Sequence, residues 1–564
     1  MNTQHPNQRQ HEALTHEMVG KWWAQDRLAA RPWRGAIGAM QAISEAARLA
    51  TLAPKDWGNE VAELNCLFDL PAHVINADAA RAAEVVGRMC DGWDKVGASP
   101  SHILSGLQDF AQRHHVELPK VGTQSQPVAE KAHKVRNRLC SPLWWRRALR
   151  KRFRIAEEAA IAAGTVRRGA SPYASAAALA RAADDRRRLD AMVDCMEVAN
   201  TVTGEVLALA DVVAASLANP ANRRAALAVR IKGVEQHAKA QGMDGLFLTL
   251  TCPSRMHATS GKYAGTTPRQ AHAYLCRVWA NAMRKAKHMG VRTMGLRVVE
   301  PHHDACPHWH ILAFVRPAEV DTFTQTVHAY ALADTPDEAG AAEHRFTVAR
   351  IDPAKGSALA YVMKYVSKSI DGEGVGEDTE TDQPGKDAAR AIVTWARTHG
   401  IRQFQFFGLP AVTPQRELHR LAPQDLPTAG HDLQEVHGAI KENEQGAVLA
   451  LLAMSGLHLE CAYTERPSTR YPGEETRGVV GVWACGGDLA EPLTLTTRNP
   501  GEWVIQLRHK EESAGLCTPW TRFNNSAFAE AQAAPAQAPE QVQSGAGVET
   551  TPAAPSRQAT QSEV

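Results

Sequence analysis

The chain has 564 residues, too many for one ordinary domain. Hydrophobic residues make up 44% and charged residues 22%, a globular balance that excludes a wholly disordered, collagen-like or disulfide-scaffold protein. With 63 Lys and Arg against 61 Asp and Glu the formal charge is only +2, so any basic surface has to be local.

The stretch from Met1 to Glu17 lacks the charged, apolar and small-residue order of a secretory signal. The longest apolar runs, Ala447 to Met454 and Val206 to Ala218, fall short of the roughly 20 residues a membrane-spanning helix needs. Ten cysteines with no C-x-x-C pair suit free thiols in a reducing compartment. Together these features predict a soluble, cytoplasmic protein with no membrane partner. Residues 1–130 mix short helical stretches, such as Ala80 to Met89, with Pro/Gly turns. They read as a variable, mainly helical region without a chemical motif.

Residues 131–242 read as a basic helical region. Between Lys131 and Asp190 there are 16 Lys and Arg against 5 Asp and Glu, a local excess of +11. The densest part puts Arg146, Arg147, Arg150 and Lys151 beside Trp144, Trp145 and Phe153 on one helix. Such a helix suits DNA phosphates, though composition alone favours a solvated face whose aromatics enter the core. Helical sequence continues to about Ala218, and Asn219-Pro220-Ala221-Asn222 then reads as a stop and an N-cap for a helix over Arg223 to Ala240.

Residues 243–410 alternate short strands and helices. Strands are predicted at Gly245 to Thr251, Met294 to Glu300, Pro307 to Val315 and near Phe346 to Ile351. Helices are predicted from Pro268 to about Met289, Ala318 to about Leu332 and Lys355 to Ser369. The order strand, helix, strand, strand, helix, strand predicts an α+β fold: an antiparallel, ferredoxin-like (split βαβ) sheet with flanking helices. The Gly-rich acidic stretch from Asp371 to Asp387 reads as a flexible loop. A helix over Ala388 to Thr398 follows. Residues 411–528 read as a small accessory region, and 529–564, without an aromatic residue, as a disordered tail.

Pro307-His308-Trp309-His310-Ile311 carries the sharpest signal. Side chains alternate along a strand, so His308 and His310 share one face, and a six-residue hairpin loop can bring Glu300 back beside them. Two imidazoles and one carboxylate leave open positions on a divalent ion. An isolated H-x-H strand is also compatible with two satisfied polar residues; Glu300 shifts the balance toward ligation. On the helix that follows, Tyr361 and Tyr365 are one turn apart on one face, with Lys368 along the same stripe and Lys364 at its edge. Such a pair also suits a packed aromatic ridge.

Together these residues resemble the HUH endonucleases, which carry a His-hydrophobic-His strand and a tyrosine helix. The blocks at 245–258, 295–315, 360–371 and 399–408 are similar to the replication gene A proteins of temperate tailed phages, as are 219–235 and 141–154. The resemblance implies rolling-circle initiation, with Tyr361 or Tyr365 attacking a phosphodiester at the origin and staying joined to the 5′ phosphate. It implies Mg²⁺ or Mn²⁺ on His308, His310 and Glu300, with Lys364 or Lys368 assisting, and a host replicative helicase and polymerase as partners. Thr249 and Thr251, on the strand expected beside the histidine strand, are candidates to position DNA or support the site, and they equally suit ordinary β-branched strand positions. The family usually has Gly-Thr where this chain has Ala305-Cys306; a metal-facing Cys306 would favour zinc. Asp304 is a reserve carboxylate ligand, His302 and His303 are candidate supporting or DNA-contacting residues, and Arg402 and Gln403 have no assigned role. Two-tyrosine transposases or relaxases, a metal-dependent hydrolase of small substrates, and a non-catalytic origin-binding protein are the alternative readings.

Overall fold

A computed structural model of the chain describes residues 72–508, except 114–115, 120, 122–124, 427–429, 469 and 499–502. The first 71 residues and the expected tail at 529–564 lie outside the described residues. Four helices come first: α1 (Ala72–Lys95), α2 (Pro100–Arg113), α3 (Val128–Leu139) and α4 (Pro142–Ala162). They bury Trp93, Leu107, Phe110, Leu139 and Trp145 against one another. The basic stretch is therefore a helix whose aromatic Trp145 faces inward, its indole N–H donating to the Leu139 carbonyl at 2.6 Å.

Helix α5 (Ala176–Asp194) does not run on toward Ala218 as the local composition suggests. Two short strands intervene, β1 (Met196–Asn200) and β2 (Val206–Ala208), before α6 (Leu209–Ala215) and α7 (Pro220–Ala240). The Asn200 side chain accepts the backbone N–H groups of Val202 and Thr203 at 2.8 and 3.0 Å, a local turn that competes with helix. β1 also pairs with Trp503–Leu507, a partner too remote in sequence to leave a local signature.

The central unit runs β3 (Asp244–Thr251), α8 (Pro268–His288), β4 (Thr293–Pro301), β5 (Pro307–Val315), α9 (Val320–Leu332), α10 (Ala341–His344), β6 (Phe346–Arg350), α11 (Ala358–Lys368), α12 (Gly385–His399) and β7 (Phe404–Phe407). Thr267 and Gln270 form a capping box that starts α8, and Ser357 caps α11. The strands form one sheet in the order β6-β3-β5-β4-β7, every neighbour antiparallel. One face, with Leu246, Leu248, Leu250, Trp309 and Ile311, packs in a core shared with α8 and α9. The other, with Leu296, Val298, Leu312 and Phe314, packs with Ile231 and Val234 of α7 and Val362 and Val366 of α11. Burying each such side chain contributes about 1.5–3 kcal/mol. This second face carries the histidines.

The segment between α11 and α12 is not the flexible loop its composition suggests. Asp378 is only 2% exposed, because its carboxylate is a counter-ion in the interior. Beyond β7 come α13 (Val412–Leu418), α14 (His431–Lys441) and α15 (Gln445–Ser455), then β8 (His458–Pro467), β9 (Glu475–Cys485) and β10 (Leu493–Thr496) in a second antiparallel sheet, and β11 (Trp503–Leu507). The whole is an α+β arrangement of helices and antiparallel sheets. Among the described residues no helix is long and apolar enough to cross a membrane.

Candidate metal and tyrosine site

Register builds the site. On β5, His308 lies opposite Glu300 of β4 and Thr251 of β3, and His310 opposite Val298 and Thr249. Directly opposed residues share a face, so the two histidines, the carboxylate and both threonines line one strip of the sheet. Ligand atoms of Glu300, His308 and His310 all lie within 4.8 Å of one another. The two Nε2 atoms are 3.0 Å apart, and Thr249 Oγ1 is 3.4 Å from His310 Nδ1. Thr251 is half-buried beside them.

From α11, Tyr365 lays its ring over His310 with centroids 3.8 Å apart, and Phe247 stacks on both. Tyr361, one turn earlier, is 40% exposed, and Lys364 is exposed as well. The structure thus brings Tyr365 onto the histidines and leaves Tyr361 at the rim. Lys368 is inside: its Nζ is 3.5 Å from Glu300 and 2.8 Å from Asp378, and it sits over the Tyr173 ring.

Burial dominates the electrostatics. It pushes the Glu300 carboxyl up to about 7, against the pull of Lys368 and of Ser369, whose hydroxyl donates to Glu300 at 3.1 Å. Burial also drives His308 well below its ordinary value and His310 down to about 3, with Lys368 and His302 adding to both. Both imidazoles are therefore neutral at physiological pH, the form that ligates. For Tyr365, burial and then Glu300 raise the phenol, while Lys368 opposes them. Burial alone would lower Lys368, but Glu300 and Asp378 hold it above its ordinary range.

Several members of this neighbourhood escaped the sequence reading. Tyr173 donates its hydroxyl to Asp378, and Thr381 donates to the same carboxylate at 2.5 Å. Glu380 accepts the His303 backbone N–H at 2.8 Å and lies 3.3 Å from His302 Nδ1. His302, which the sequence did offer as a candidate supporting residue, stacks on His308 with centroids 4.0 Å apart. The only signal for Asp378 and Glu380 was an acidic run, which also describes a solvated loop. Nothing in the sequence places Tyr173 near them.

Two reserve candidates are corrected. Asp304 bonds His257, Thr259 and the Cys306 N–H instead of joining the cluster, and these partners hold its carboxyl far below the usual range despite burial. Cys306 packs beside Cys252 in the core on the opposite face, where burial raises its thiol well above normal, so it offers no thiolate to the histidines. The basic residues of α4 are a separate feature. Arg147, Arg150 and Lys151 are exposed, Arg146 is half-buried beside Arg147 and Arg150, and Arg150 pairs with Asp185 at 3.3 Å.

Comparison with known proteins finds a matching family. The bacteriophage replication gene A protein family matches residues 82–373. The chain is 35% identical to the probable replication protein P12 of Pseudoalteromonas phage PM2 over 420 residues, 72% of this chain and 64% of that protein. It is 34% identical to a probable replication endonuclease from a prophage-like region of Salmonella typhimurium, over 70% of this chain and 51% of the relative. With the replication gene A protein of Escherichia phage P2 the identity is 34%, over 64% of this chain and 50% of the relative. The chain thus spans half to just under two thirds of the length of these relatives. No solved structure gives a significant match.

Proposed function

The chain belongs to the bacteriophage replication gene A protein family, and from that premise we propose that it is a DNA endonuclease that nicks and rejoins one strand at an origin, starting rolling-circle replication of phage or prophage DNA. The observation that carries the proposal is the convergence of Glu300, His308 and His310 beneath the ring of Tyr365. Relatives named as probable replication endonucleases support the reading. The strand order β6-β3-β5-β4, with β7 added at one edge, supports a split βαβ sheet of HUH type. The division into a helical region to 130, a basic region at 131–242, a catalytic domain at 243–410 and an accessory region beyond 411 belongs to the same proposal.

Two buried neutral imidazoles and one carboxylate, their ligand atoms clustered, fit a divalent cation with open positions. When bound, Mg²⁺ or Mn²⁺ supplies Lewis-acid polarisation of the scissile phosphate. Thr249 holds His310 through Nδ1, which presents Nε2 to the cluster. Lys368 keeps Glu300 charge-balanced, and Asp378 keeps Lys368 in place. Lys364, exposed at the rim, meets the phosphate charge. Thr249, Thr251 and the α4 residues Arg146, Arg147, Arg150 and Lys151 are proposed DNA contacts.

In the chemical step the Tyr365 hydroxyl gives up its proton and its oxygen bonds the phosphorus, while the bond to the 3′ oxygen breaks. The leaving 3′ oxygen takes up a proton and becomes the primer end for a host polymerase. One phosphoester is exchanged for another, so no ATP is needed, and Tyr361 can repeat the attack after a full round. A host helicase would open the duplex ahead.

The test is a set of single-stranded oligonucleotides tiled across the replicon that encodes the chain, incubated with Mn²⁺. A DNA–protein adduct surviving SDS is expected, absent with EDTA and absent in a Tyr361→Phe/Tyr365→Phe variant. An adduct that persists in that variant overturns the tyrosine assignment. A relaxase-like reading with three histidines has one observation behind it, the stacking of His302 on His308. It requires His302→Ala, and not Glu300→Gln, to abolish Mn²⁺ binding.

A further inference from the structure

The motif Gly400-Ile401-Arg402-Gln403-Phe404-Gln405-Phe406-Phe407 and the arginines of α7 have no part in the site described above. The fold brings them together. Phe404 and Phe406 lie opposite Val298 and Leu296 of β4, so they share the face that carries Glu300 and the histidines. α7 lies across that face, with Arg223 over the Phe404 ring at 5.5 Å and Arg230 over the Phe406 ring at 4.7 Å.

These guanidinium groups have cations, not carboxylates, for neighbours. Burial and then Arg397 lower Arg223, and burial and then Arg416 bring Arg230 down to about 10. Among the described residues no ion pair joins Arg223, Arg230, Arg397 or Arg416 to an acid. Arg230 is only 7% exposed; one donor reaches the Pro410 carbonyl at 2.9 Å, and Nε and Nη1 are buried without a partner. An uncompensated buried cation is costly, and an anion seated above it relieves that cost. Arg223 and Arg416, partly desolvated but still reaching the surface, and the exposed Arg397 can supply the donors. A guanidinium lying on an aromatic ring keeps its in-plane N–H groups free, the arrangement that suits phosphate oxygens. The helix that looks most basic in the sequence differs: there Arg150 pairs with Asp185 and Arg154 with Glu158.

We propose that Arg397, Arg223, Arg230 and Arg416 form a phosphate track along α7 and β7, which carries the backbone of single-stranded DNA across the sheet face to the Glu300–His308–His310 cluster. The track reads charge and not bases, so it binds without sequence preference. The proposal deepens the nickase reading and rests on it for the direction of the strand.

The experiment measures binding of a fluorescent single-stranded oligonucleotide to the full chain in EDTA, over a range of salt concentrations. Single strands lose roughly 0.7 of a unit of log K per unit of log salt for each phosphate neutralised. Arg223→Gln/Arg416→Gln is expected to flatten the slope by about 1.4 and to weaken binding equally for unrelated sequences. Arg223→Lys/Arg416→Lys keeps the charge and should keep the slope, which a packing role would not explain. Arg187→Gln, removing an arginine already paired with Asp184, should change neither. An unaltered slope and affinity in the Gln variant overturns the track. Because binding is read without metal or cleavage, an arginine-dependent slope in a protein that never nicks would leave the track standing and defeat the nickase reading alone.

Discussion

At the scale of single residues, the site depends on geometry that one atom can disturb. Thr249 contributes only an oxygen to His310 Nδ1, yet partners of ligating histidines typically matter 10- to 100-fold for metal affinity. Thr249→Val is therefore expected to weaken Mn²⁺ binding by about 10-fold or more, and Glu300→Gln by a larger factor, as read by calorimetric titration. Unchanged affinity in both would remove the carboxylate, and the support Thr249 gives His310, from the metal assignment. Asp378 belongs to the same fabric from below. Replacing it with Asn weakens its contact with Lys368 and turns a donor toward Tyr173, for a loss of about 1–3 kcal/mol in urea denaturation.

At the scale of elements, most strands and helices from Asp244 to Lys368 were legible because they carry their own punctuation, whereas the single turn of α10 (Ala341–His344) was too short to leave a period. Pro268 and Thr267 mark the start of α8, Pro307 the start of β5, and the H-x-H alternation marks which face is which. The histidine face could be read because a strand has a period of two, and the pairing of Glu300 with His308 follows from a short hairpin. Chain segments that fold through distant partners were not legible. β1 needs Trp503–Leu507, and the acidic stretch after α11 needs Tyr173, neither of which leaves a periodic trace nearby. Ala305 shows the same limit: its φ of 69° is in the left-handed region, a backbone requirement visible only in three dimensions, and it explains why glycine suits that position. Gly295 of β4 has a tighter constraint, since a Cβ there would lie 1.9 Å from the Leu312 carbonyl oxygen of β5. Gly295→Ala is expected to cost about 1–3 kcal/mol and to displace β4, seen as a lower thermal midpoint together with weaker Mn²⁺ binding.

At the scale of the whole molecule, buried histidines contribute to the loss of stability on the acid side. Burial brings His272 down to about 4 and His399 to about 3, with Arg297 and Arg154 respectively as the next contributors. In the unfolded chain both take up protons near 6.5, so the unfolded state binds protons first as pH falls. Their contribution is complete above pH 6.5 and declines from there toward pH 4 and 3. The thermal midpoint should therefore drop between pH 6.5 and 5. In His399→Leu, which removes two buried ring nitrogens without partners, the drop should be shallower.

The account of the molecule as a strand-cutting enzyme turns on one covalent bond. Peptide mapping by mass spectrometry of the SDS-stable adduct formed with Mn²⁺ locates that bond. A nucleotide-bearing peptide from α11 with the mass added at Tyr365 or Tyr361 is the result expected; a modified residue outside that helix, or cleavage with no modified peptide at all, contradicts it.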